Sequence, residues 1–311
     1  MLMIIAMNRT QNHTDIIKHG WVGRLPKSMQ PYCYMMRLDR PIGTWLLLLP
    51  AWWSILLTGG MHAWPTMILF GVGALIMRGA GCVVNDLWDR DLDGAVERTA
   101  TRPIPNGDVS PKQALIFLAI LLSLGLIILL QLNALTITLG IVSIVFIVAY
   151  PLMKRITWWP QAFLGLTFNF GALMGWSAMT GELPWQAWML YASGFFWTLG
   201  YDTIYALQDR ADDALIGIKS SARYLTEAWS GDIKIALYGF YIIHFVMLTV
   251  VMMSIFSSYA IAIFILAMAQ LMWQVKTLSL TDPKNSLERF QSNRDYGLIV
   301  CACVVLLQNL F

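Results

Sequence analysis

The sequence predicts an all-α fold, a polytopic membrane protein with nine transmembrane helices in a bundle. Hydrophobic residues make up 58% of the 311 residues, or about 180 positions. Aspartate, glutamate, lysine and arginine together reach 13%, whereas soluble domains contain about 25%. Because one spanning helix needs roughly 20 apolar residues, these positions suffice for about nine spans. The composition excludes a soluble enzyme and a disordered chain, and four cysteines without C-x-x-C spacing exclude a disulfide scaffold.

Nine apolar runs are the predicted helices, and a basic segment precedes them. Residues 1–40 are predicted to be a cytoplasmic arm, because their apolar start, MLMIIAM, is too short for the core of a signal peptide. Residues 41–311 are predicted to form one transmembrane domain with long Asp-rich cytoplasmic loops at 85–111 and 207–233. The apolar runs fall at 42–60, 64–84, 112–131, 134–153, 159–178, 186–206, 234–254, 256–275 and 295–311.

Lysine and arginine are confined to alternate connections between the predicted helices. Twenty of the 21 either precede the first helix or lie in the second, fourth, sixth and eighth connections, if Lys112 and Lys234, the first residues of the helices that follow, are counted with those connections. Because basic residues favour the cytoplasmic side, this pattern predicts a cytoplasmic N-terminus and a C-terminus on the opposite side. The exception is Arg78, which lies inside the second predicted helix.

The second helix ends in a cluster of aspartates. Asp86, Asp89 and Asp93 are separated by three and four residues, so on a helix they share one face. Neighbouring Cβ atoms on such a face are about 5–6 Å apart. Asp91 points away from this face, and we expect it to be a solvated charge.

A second aspartate stripe begins in the last turns of the sixth predicted helix and continues past its end. Asp202, Asp209 and Asp213 are separated by seven and four residues, also on one face, with Tyr205 beside them. Four helices separate the two stripes, an even number, which predicts two parallel pseudo-repeats related by an axis along the membrane normal. This repeat is inferred from charge placement and not from residue identity.

Aspartates at the ends of membrane helices need water or a cation beside them. A charged side chain at the centre of a membrane helix costs about 2.5–3.5 kcal/mol on insertion scales. Stripes of aspartate without histidine or cysteine suit a hard cation, and Mg²⁺ is held by one or two carboxylates together with substrate phosphates. Two such stripes predict a clamp for a Mg²⁺-bridged diphosphate. The alternative is a set of solvated loop charges and helix caps.

Four stretches resemble the UbiA-type intramembrane prenyltransferases. NDLWDRDLDGAVERTATRPIPNG (85–107) resembles the first Asp-rich motif of that family, N-D-x-x-D-x-x-x-D. DTIYALQDRADDALIGIKSSA (202–222) is similar to the second motif in the branch that prenylates 4-hydroxybenzoate. RLDRPIGTWLLLLP (37–50) and YPLMKR (150–155) resemble the same branch. The resemblance covers nearly the whole chain beyond about residue 30, in the family's order and spacing.

The resemblance implies a central cavity that opens to the cytoplasmic side and to lipid. There a polyprenyl group would pass from a polyprenyl diphosphate to carbon 3 of 4-hydroxybenzoate, a reaction of ubiquinone biosynthesis, with Mg²⁺ as cofactor and no nucleic acid as partner. The implied catalytic residues are Tyr205 and five aspartates that are also the implied metal ligands: Asp86, Asp89, Asp93, Asp209 and Asp213. The residues implied to contact the substrates are Asn85, Arg98, Arg102, Tyr150, Lys154, Arg155, Asp202, Tyr205 and Lys219.

Arg78 has two possible roles. It lies seven residues before Asn85 and eleven before Asp89, so on a continuous helix the three share a face. One role is structural, as a partner of the aspartates or of backbone carbonyls. The other is to receive the carboxylate of 4-hydroxybenzoate, which suits the paired donors of a guanidinium group.

Two other functions stay open at this point. An intramembrane aspartate and arginine also occur in cation transporters, although these place charges near the middle of the bilayer. A prenyltransferase for another aromatic acceptor, such as homogentisate or a naphthoate, would share the same motifs. For the location we expect a bacterial inner membrane and not a mitochondrial one, because residues 1–30 lack the Arg- and Ser-rich, acid-poor character of a transit peptide.

Overall fold

The computed structural model describes residues 14–94, 99–210, 214, 217–227, 232–256 and 260–310, and this part of the chain contains helices and no β-strand. Two short 3-10 turns, Val22–Arg24 and Gly60–Ala63, accompany the α-helices. In chain order the helices are α1 (Gln30–Met35), α2 (Ile42–Gly59), α3 (Trp64–Trp88), α4 (Arg90–Asp93), α5 (Pro111–Leu129), α6 (Ala134–Ile156), α7 (Pro160–Phe168), α8 (Phe170–Thr180), α9 (Trp185–Ala206), α10 (Ser221–Glu227), α11 (Ile233–Ile255), α12 (Ala260–Lys276), α13 (Pro283–Gln291) and α14 (Asn293–Leu310).

The all-α class is confirmed, and each predicted apolar run overlaps a helix. Five helical stretches of the described chain are long and apolar enough to cross a membrane, and the first of them contains both α2 and α3. The stretches are Ile42–Trp88, Pro111–Leu129, Ala134–Ile156, Pro160–Thr180 and Ile233–Ile255. The total of nine spans stays a prediction.

The fifth predicted span is two helices and not one. It breaks at Asn169, a fully buried residue between α7 and α8. The Asn169 side chain donates one hydrogen bond to the Gly165 carbonyl at 2.8 Å and another to Thr198 Oγ1 at 2.9 Å. The side-chain amide thus replaces part of the hydrogen bonding that the backbone loses at the break. Such replacement is needed inside a membrane, because no water is present there to bond the free backbone groups.

Several helix boundaries follow local sequence signals. Ser110 and Gln113 form a capping box at the start of α5, in which each side chain bonds to the backbone N–H of the other. Asp232 caps α11 and Asp282 caps α13 through side-chain oxygens that accept backbone hydrogen bonds. Gly181 ends α8 with a left-handed φ of 74°, a conformation that glycine adopts without strain.

The chain packs as two compact units, each described here by itself. The first unit contains Met1–Pro41 and Ile76–Gly125, and the second contains Ile42–Leu75 and Leu126–Phe311. The first unit has its own apolar core, in which Met35 from α1 packs with Val83 from α3 and Ile104 and Val109 from the following loop. The described part of the arm therefore packs onto the end of α3.

The core of the second unit is built from large aromatic side chains whose polar atoms are satisfied. Trp53 Nε1 donates to the Gly297 carbonyl at 3.0 Å, and Trp197 Nε1 donates to Asn293 Oδ1 at 2.8 Å. His244 is fully buried and bonds Ser193 Oγ through Nδ1 at 2.8 Å. Within an apolar unit, such bonds remove the cost of burying these groups.

The alternation of basic connections gives a direct test of sidedness. Asn106 and Glu182 are exposed residues in connections of opposite kind, the first basic and the second without lysine or arginine. On a Cys33→Ser background, Asn106→Cys and Glu182→Cys should therefore react with an impermeant maleimide from opposite sides of sealed vesicles. Labelling of both from the same side would contradict the predicted topology.

Candidate active site

The first aspartate stripe lies where α3 passes into α4. The backbone N–H of Asp89 donates to the Asn85 carbonyl at 2.9 Å, and that of Asp93 donates to the Asp89 carbonyl at 2.7 Å. These bonds continue helical spacing past the end of α3, which brings Asp86, Asp89 and Asp93 to one face. The three are buried, with exposed fractions of 0%, 1% and 8%. The Asp91 side chain is 88% exposed and bonds Arg90, as expected for a solvated charge.

Two arginines hold this stripe from different parts of the chain. Arg37 donates to Asp86 Oδ1 at 2.6 Å. Arg102 donates to the same oxygen at 3.4 Å and to Asp93 Oδ2 at 2.8 Å. The other edge of the Arg102 guanidinium, Nε and Nη2, donates to Asp15 Oδ2 at 3.2 and 2.9 Å. We call Asp15, Arg37, Asp86, Asp93 and Arg102 the buried ion cluster.

The loop after α4 aims Arg102 at the carboxylates. Thr99 Oγ1 donates to the Asp93 carbonyl at 2.8 Å, and the Asn106 N–H donates to the Arg102 carbonyl at 2.9 Å. Ile104 and Val109 anchor the loop in the core of the first unit. The resemblance implies that Arg102 contacts the diphosphate from a loop, and this stays a prediction; the structure shows its guanidinium paired with Asp15, Asp86 and Asp93.

Arg37 reaches Asp86 from a strained backbone position. It ends α1 with φ at 58°, the left-handed region that is uncommon for residues other than glycine. The Leu38 N–H donates to the Cys33 carbonyl and the Arg37 N–H donates to the Tyr34 carbonyl, which satisfies the end of the helix. Such a conformation costs of order 1–3 kcal/mol and persists where the surroundings determine it. The ion pair between Arg37 and Asp86 is one contact that holds Arg37 in this conformation.

The charges of the arm that join this site were not predicted from the sequence to be site residues. Arg40 bonds Asp39 at 2.7 Å and lies 3.2 Å from Asp15. The Ile17 N–H donates to Asp39 Oδ2 at 2.9 Å. The available signal was the dense alternation of charges in RLDR (37–40), directly before a long apolar run. That pattern was interpreted as a topology signal.

Burial changes the acidity of the cluster. Desolvation raises the pKa of Asp93 above its ordinary value, and the charge of Arg102 opposes this rise. Desolvation alone would lower the pKa of Arg102, but Asp15, Asp86 and Asp93 outweigh it and raise the pKa above its ordinary value. Arg102 therefore stays charged, and the carboxylates beside it gain a permanent counter-charge.

One oxygen of the stripe has the character of a cation ligand. Asp86 Oδ2 is buried and accepts no hydrogen bond from any residue that the structure describes. A buried carboxylate oxygen in this state is costly unless a cation or donor reaches it. Across the described ranges, no three acidic, histidine or cysteine side chains form a shell that could hold a metal ion alone. The buried Asp86 Oδ2 by itself suits Mg²⁺, which takes few protein ligands and completes its shell with phosphates and water.

The second stripe lies at the end of α9. Asp202 and Tyr205 are on its last turns, and Asp209 follows it, all three partly buried. The Tyr205 ring packs against Phe290 of α13, with centroids 4.6 Å apart. Asp213 and Arg98 lie outside the described residues.

Three predicted basic residues come together beside the end of α6. The Lys219 N–H donates to the Lys154 carbonyl at 3.2 Å, and Lys219 Nζ donates to the Ile156 carbonyl at 3.1 Å. Arg155 lies between Lys154 and Ile156 in the chain, and its side chain is exposed.

This basic segment is tied to α9, which carries the second stripe. Thr203 Oγ1 and Ser221 Oγ are 2.6 Å apart, and the Ser221 N–H donates to Gln161 Oε1 at 3.0 Å. Tyr150 lies on α6, one turn before Lys154. The second unit therefore holds Lys154, Arg155 and Lys219 near the second stripe.

The chain matches known proteins over most of its length. A model of the UbiA prenyltransferase family matches residues 47–295. The protein of Bos taurus named 4-hydroxybenzoate polyprenyltransferase, mitochondrial, is 48% identical over 292 residues, which are 92% of this chain and 77% of that protein. The 4-hydroxybenzoate geranyltransferase 1 of Lithospermum erythrorhizon is 46% identical over 284 residues, 91% of this chain and 92% of that protein.

The fold also matches a solved structure. A UbiA homolog from Archaeoglobus fulgidus, solved bound to GPP and Mg²⁺, has a TM-score of 0.63 to this chain. The match covers 88% of this chain and 99% of that chain at 17% sequence identity. At this identity the likeness supports the helical fold and nothing about the ligands of this chain.

One prediction is overturned by these comparisons. The animal relatives are named as mitochondrial proteins, which contradicts the expected bacterial inner membrane, so that prediction is wrong. The prediction depended on the composition of residues 1–30 alone.

Proposed function

This chain belongs to the UbiA prenyltransferase family, and from that premise we propose how it acts as a 4-hydroxybenzoate polyprenyltransferase. The resemblance inferred from the two Asp-rich motifs is confirmed by the family match and by 48% identity to the bovine enzyme. The reaction breaks the bond between carbon 1 of the prenyl chain and the diphosphate oxygen. It forms a bond from that carbon to carbon 3 of the ring, which then loses its proton.

We propose that Asp86 and Asp89 are the principal metal ligands of the first stripe. The buried Asp86 Oδ2, which accepts no hydrogen bond from described residues, supports this assignment. Mg²⁺ would neutralise the departing diphosphate, which lowers the cost of ionising the carbon–oxygen bond. Asp93, Asp209 and Asp213 remain proposed ligands. Asn85 is proposed to orient the aspartates of the first stripe. The facing arrangement of the two stripes stays a prediction.

The basic residues of the second unit are proposed to bind the diphosphate. Lys154, Arg155 and Lys219 lie together beside the end of α6, and Lys219 is fixed there by its backbone bond to the Lys154 carbonyl. Concentrated positive charge stabilises a leaving group that gains negative charge in the transition state. Arg102 is proposed to act from inside the cluster, where it orients Asp86 and Asp93. Tyr150 and Tyr205 are proposed to face the allylic cation.

The function is tested with washed membranes that contain the protein. Labelled polyprenyl diphosphate and 4-hydroxybenzoate should give a labelled prenylated acid, and a chelator should abolish the product until Mg²⁺ is restored. Homogentisate and a dihydroxynaphthoate, supplied in parallel, test the other acceptors. Product from one of these acceptors and not from 4-hydroxybenzoate would contradict the proposed acceptor. Absence of any prenylated product would favour a transporter.

Arg78 is proposed to receive the carboxylate of 4-hydroxybenzoate. It lies on α3, eight residues before Asp86, or about 12 Å along the helix axis. Lysine keeps the charge but cannot form two parallel bonds to a carboxylate. Arg78→Lys should therefore raise KM for 4-hydroxybenzoate by about tenfold, the loss of about 1.4 kcal/mol, with little change in KM for the prenyl diphosphate.

The control for this prediction is Arg90→Lys, because Arg90 is exposed and bonds Asp91. Arg90→Lys should leave both KM values unchanged. Equal increases for the two substrates in Arg78→Lys would favour the structural role instead.

A further inference from the structure

A groove in the first unit runs between the arm and the first turns of α5. Its volume is about 510 Å³, within the range of small-molecule sites. The walls are mainly apolar, formed by Tyr32, Cys33 and Met36 on one side and Ile116, Phe117 and Ile120 on the other. The Tyr32 and Phe117 rings meet edge to face, with centroids 5.0 Å apart, and join the two walls.

From its polar end, at Ser28 and Gln113, the groove runs along α5. Gln113, near the start of the helix, and Ile120 both line it, and seven residues of helix span about 10 Å. Ile116 and Ile120 are 54% and 50% exposed on a helix that is apolar enough to cross a membrane. A groove of this course has the length and surface chemistry to hold part of an acyl chain.

Exposed basic residues adjoin the polar end of the groove along the chain. Lys27 and Lys112 are exposed and directly precede Ser28 and Gln113, the two polar residues of the lining. Arg24, also exposed, is held near α1 because the Gln30 side chain donates to the carbonyls that flank Arg24, those of Gly23 and Leu25, at 3.1 and 2.8 Å.

Negative charge is scarce at this end. Residues 14–35 are the described part of the arm up to the end of α1. Their one acidic residue is Asp15, which belongs to the buried ion cluster. Asp108 in the loop before α5 is exposed and accepts a hydrogen bond from the Asn106 side chain. The charge at the mouth of the groove is therefore positive.

The arm also exposes apolar side chains among its basic residues. Ile17, Trp21 and Met29 have exposed fractions of 49%, 55% and 51%. Exposed tryptophan and aliphatic residues beside lysine and arginine are typical of segments that lie at a membrane surface.

We propose that this groove is a binding site for an anionic phospholipid. One acyl chain would lie along the apolar walls, and the phosphate would sit at the mouth near Lys27 and Lys112. Positive charge at the mouth selects a lipid with net negative charge over a zwitterionic one, since each lysine near an anionic headgroup contributes about 1 kcal/mol. Neither the transfer reaction nor its proposed metal ligands involve these residues.

Cys33 supplies the test, because it lies in the groove wall. It is partly exposed, whereas the other three cysteines are buried. The full chain is placed in nanodiscs of phosphatidylcholine, or of phosphatidylcholine with phosphatidylglycerol as the minor component. The rate of reaction with N-ethylmaleimide is then followed by mass spectrometry. Phosphatidylglycerol should slow labelling about fivefold for each lysine that contributes, the equivalent of about 1 kcal/mol per lysine.

Lys27→Gln with Lys112→Gln should remove this protection, and Lys284→Gln is the matched control because Lys284 is an exposed lysine on α13. An anionic surface also lowers the local pH and so slows any thiol. Asn106→Cys on the Cys33→Ser background measures that effect at an exposed site outside the groove, and the proposal requires greater protection at Cys33.

Three results would overturn the proposal. One is equal labelling of Cys33 in the two lipid mixtures. Another is protection that survives the double lysine substitution. The third is protection that is independent of lipid and is lost when residues 1–13 are deleted, which would identify the start of the chain as the occupant.

Discussion

Asp89→Asn is expected to lower the initial rate of prenyl transfer by about a hundredfold or more, while the protein stays folded. Asparagine matches the shape of aspartate but lacks the negative charge that a hard cation requires. Removal of one electrostatic contributor from an active site commonly costs 10²–10³-fold in rate, or about 2.7–4 kcal/mol. Asp89 is 1% exposed on the stripe between Asp86 and Asp93, so few other groups can replace it. The rate is measured in washed membranes at limiting Mg²⁺.

Two variants frame this prediction. Asp91→Asn is the matched control, because its side chain is 88% exposed and bonds Arg90. It should retain near-normal activity. Asp209→Asn should show a loss comparable to that of Asp89→Asn, since both stripes are proposed to hold the same metal. Near-normal turnover by Asp89→Asn at limiting Mg²⁺ would refute its assignment as a ligand.

Arg102→Met is expected to be the most destabilising single substitution in the first unit. Methionine fills similar space but leaves Asp15, Asp86 and Asp93 without the guanidinium that contacts all three. Removing one partner from a buried ion pair typically costs 3–5 kcal/mol, because the other charge stays buried. Thermal unfolding in detergent should show a large downward shift. Arg102→Lys should recover part of it, because lysine restores the charge without the planar fork.

A second substitution separates charge from packing. Asp15→Asn removes one of the carboxylates that Arg102 neutralises, so Arg102→Met with Asp15→Asn should be more stable than Arg102→Met alone. Arg90→Gln, at an exposed position, should leave stability unchanged. If Arg102→Met is as stable as the unaltered protein and only raises KM for the prenyl diphosphate, then Arg102 binds substrate as the sequence first suggested.

The local features of the site were predictable because helical spacing determines them. Three aspartates separated by three and four residues must share a face if the helix continues, and the backbone bonds of Asp89 and Asp93 show that it does. The same geometry turns Asp91 outward. For these residues the periodicity of the α-helix carries the relevant information.

The partners of the stripe were not predictable, because they are remote in sequence. Asp15 and Arg102 are 87 residues apart, and Arg37 and Asp86 are 49 apart. No periodicity connects such positions. The arm's arginines were instead assigned to topology, a role that basic residues beside membrane helices commonly have. The division into two units has the same origin, since it depends on contacts between residues 14–41 and 76–125.

The break at Asn169 was only partly predictable from the sequence. A single asparagine inside an apolar run is visible in the sequence. Whether it interrupts the helix depends on partners for the freed groups, and here one partner is Thr198 on another helix. Hydropathy reports that the segment is apolar enough to cross a membrane, but not that its helix is broken.

The buried Asp86 Oδ2 also affects how the protein behaves once it is taken out of its membrane. A ligand that binds the folded state and not the unfolded chain shifts the folding equilibrium by mass action, by about 2.7 kcal/mol at a hundred times its Kd. A divalent ion that reaches this oxygen would act in this way, since the oxygen has no other described partner. Extraction in a chelating buffer would withdraw that contribution at the moment when detergent has replaced the supporting bilayer. The composition of the extraction buffer would then help to determine how much folded enzyme is recovered.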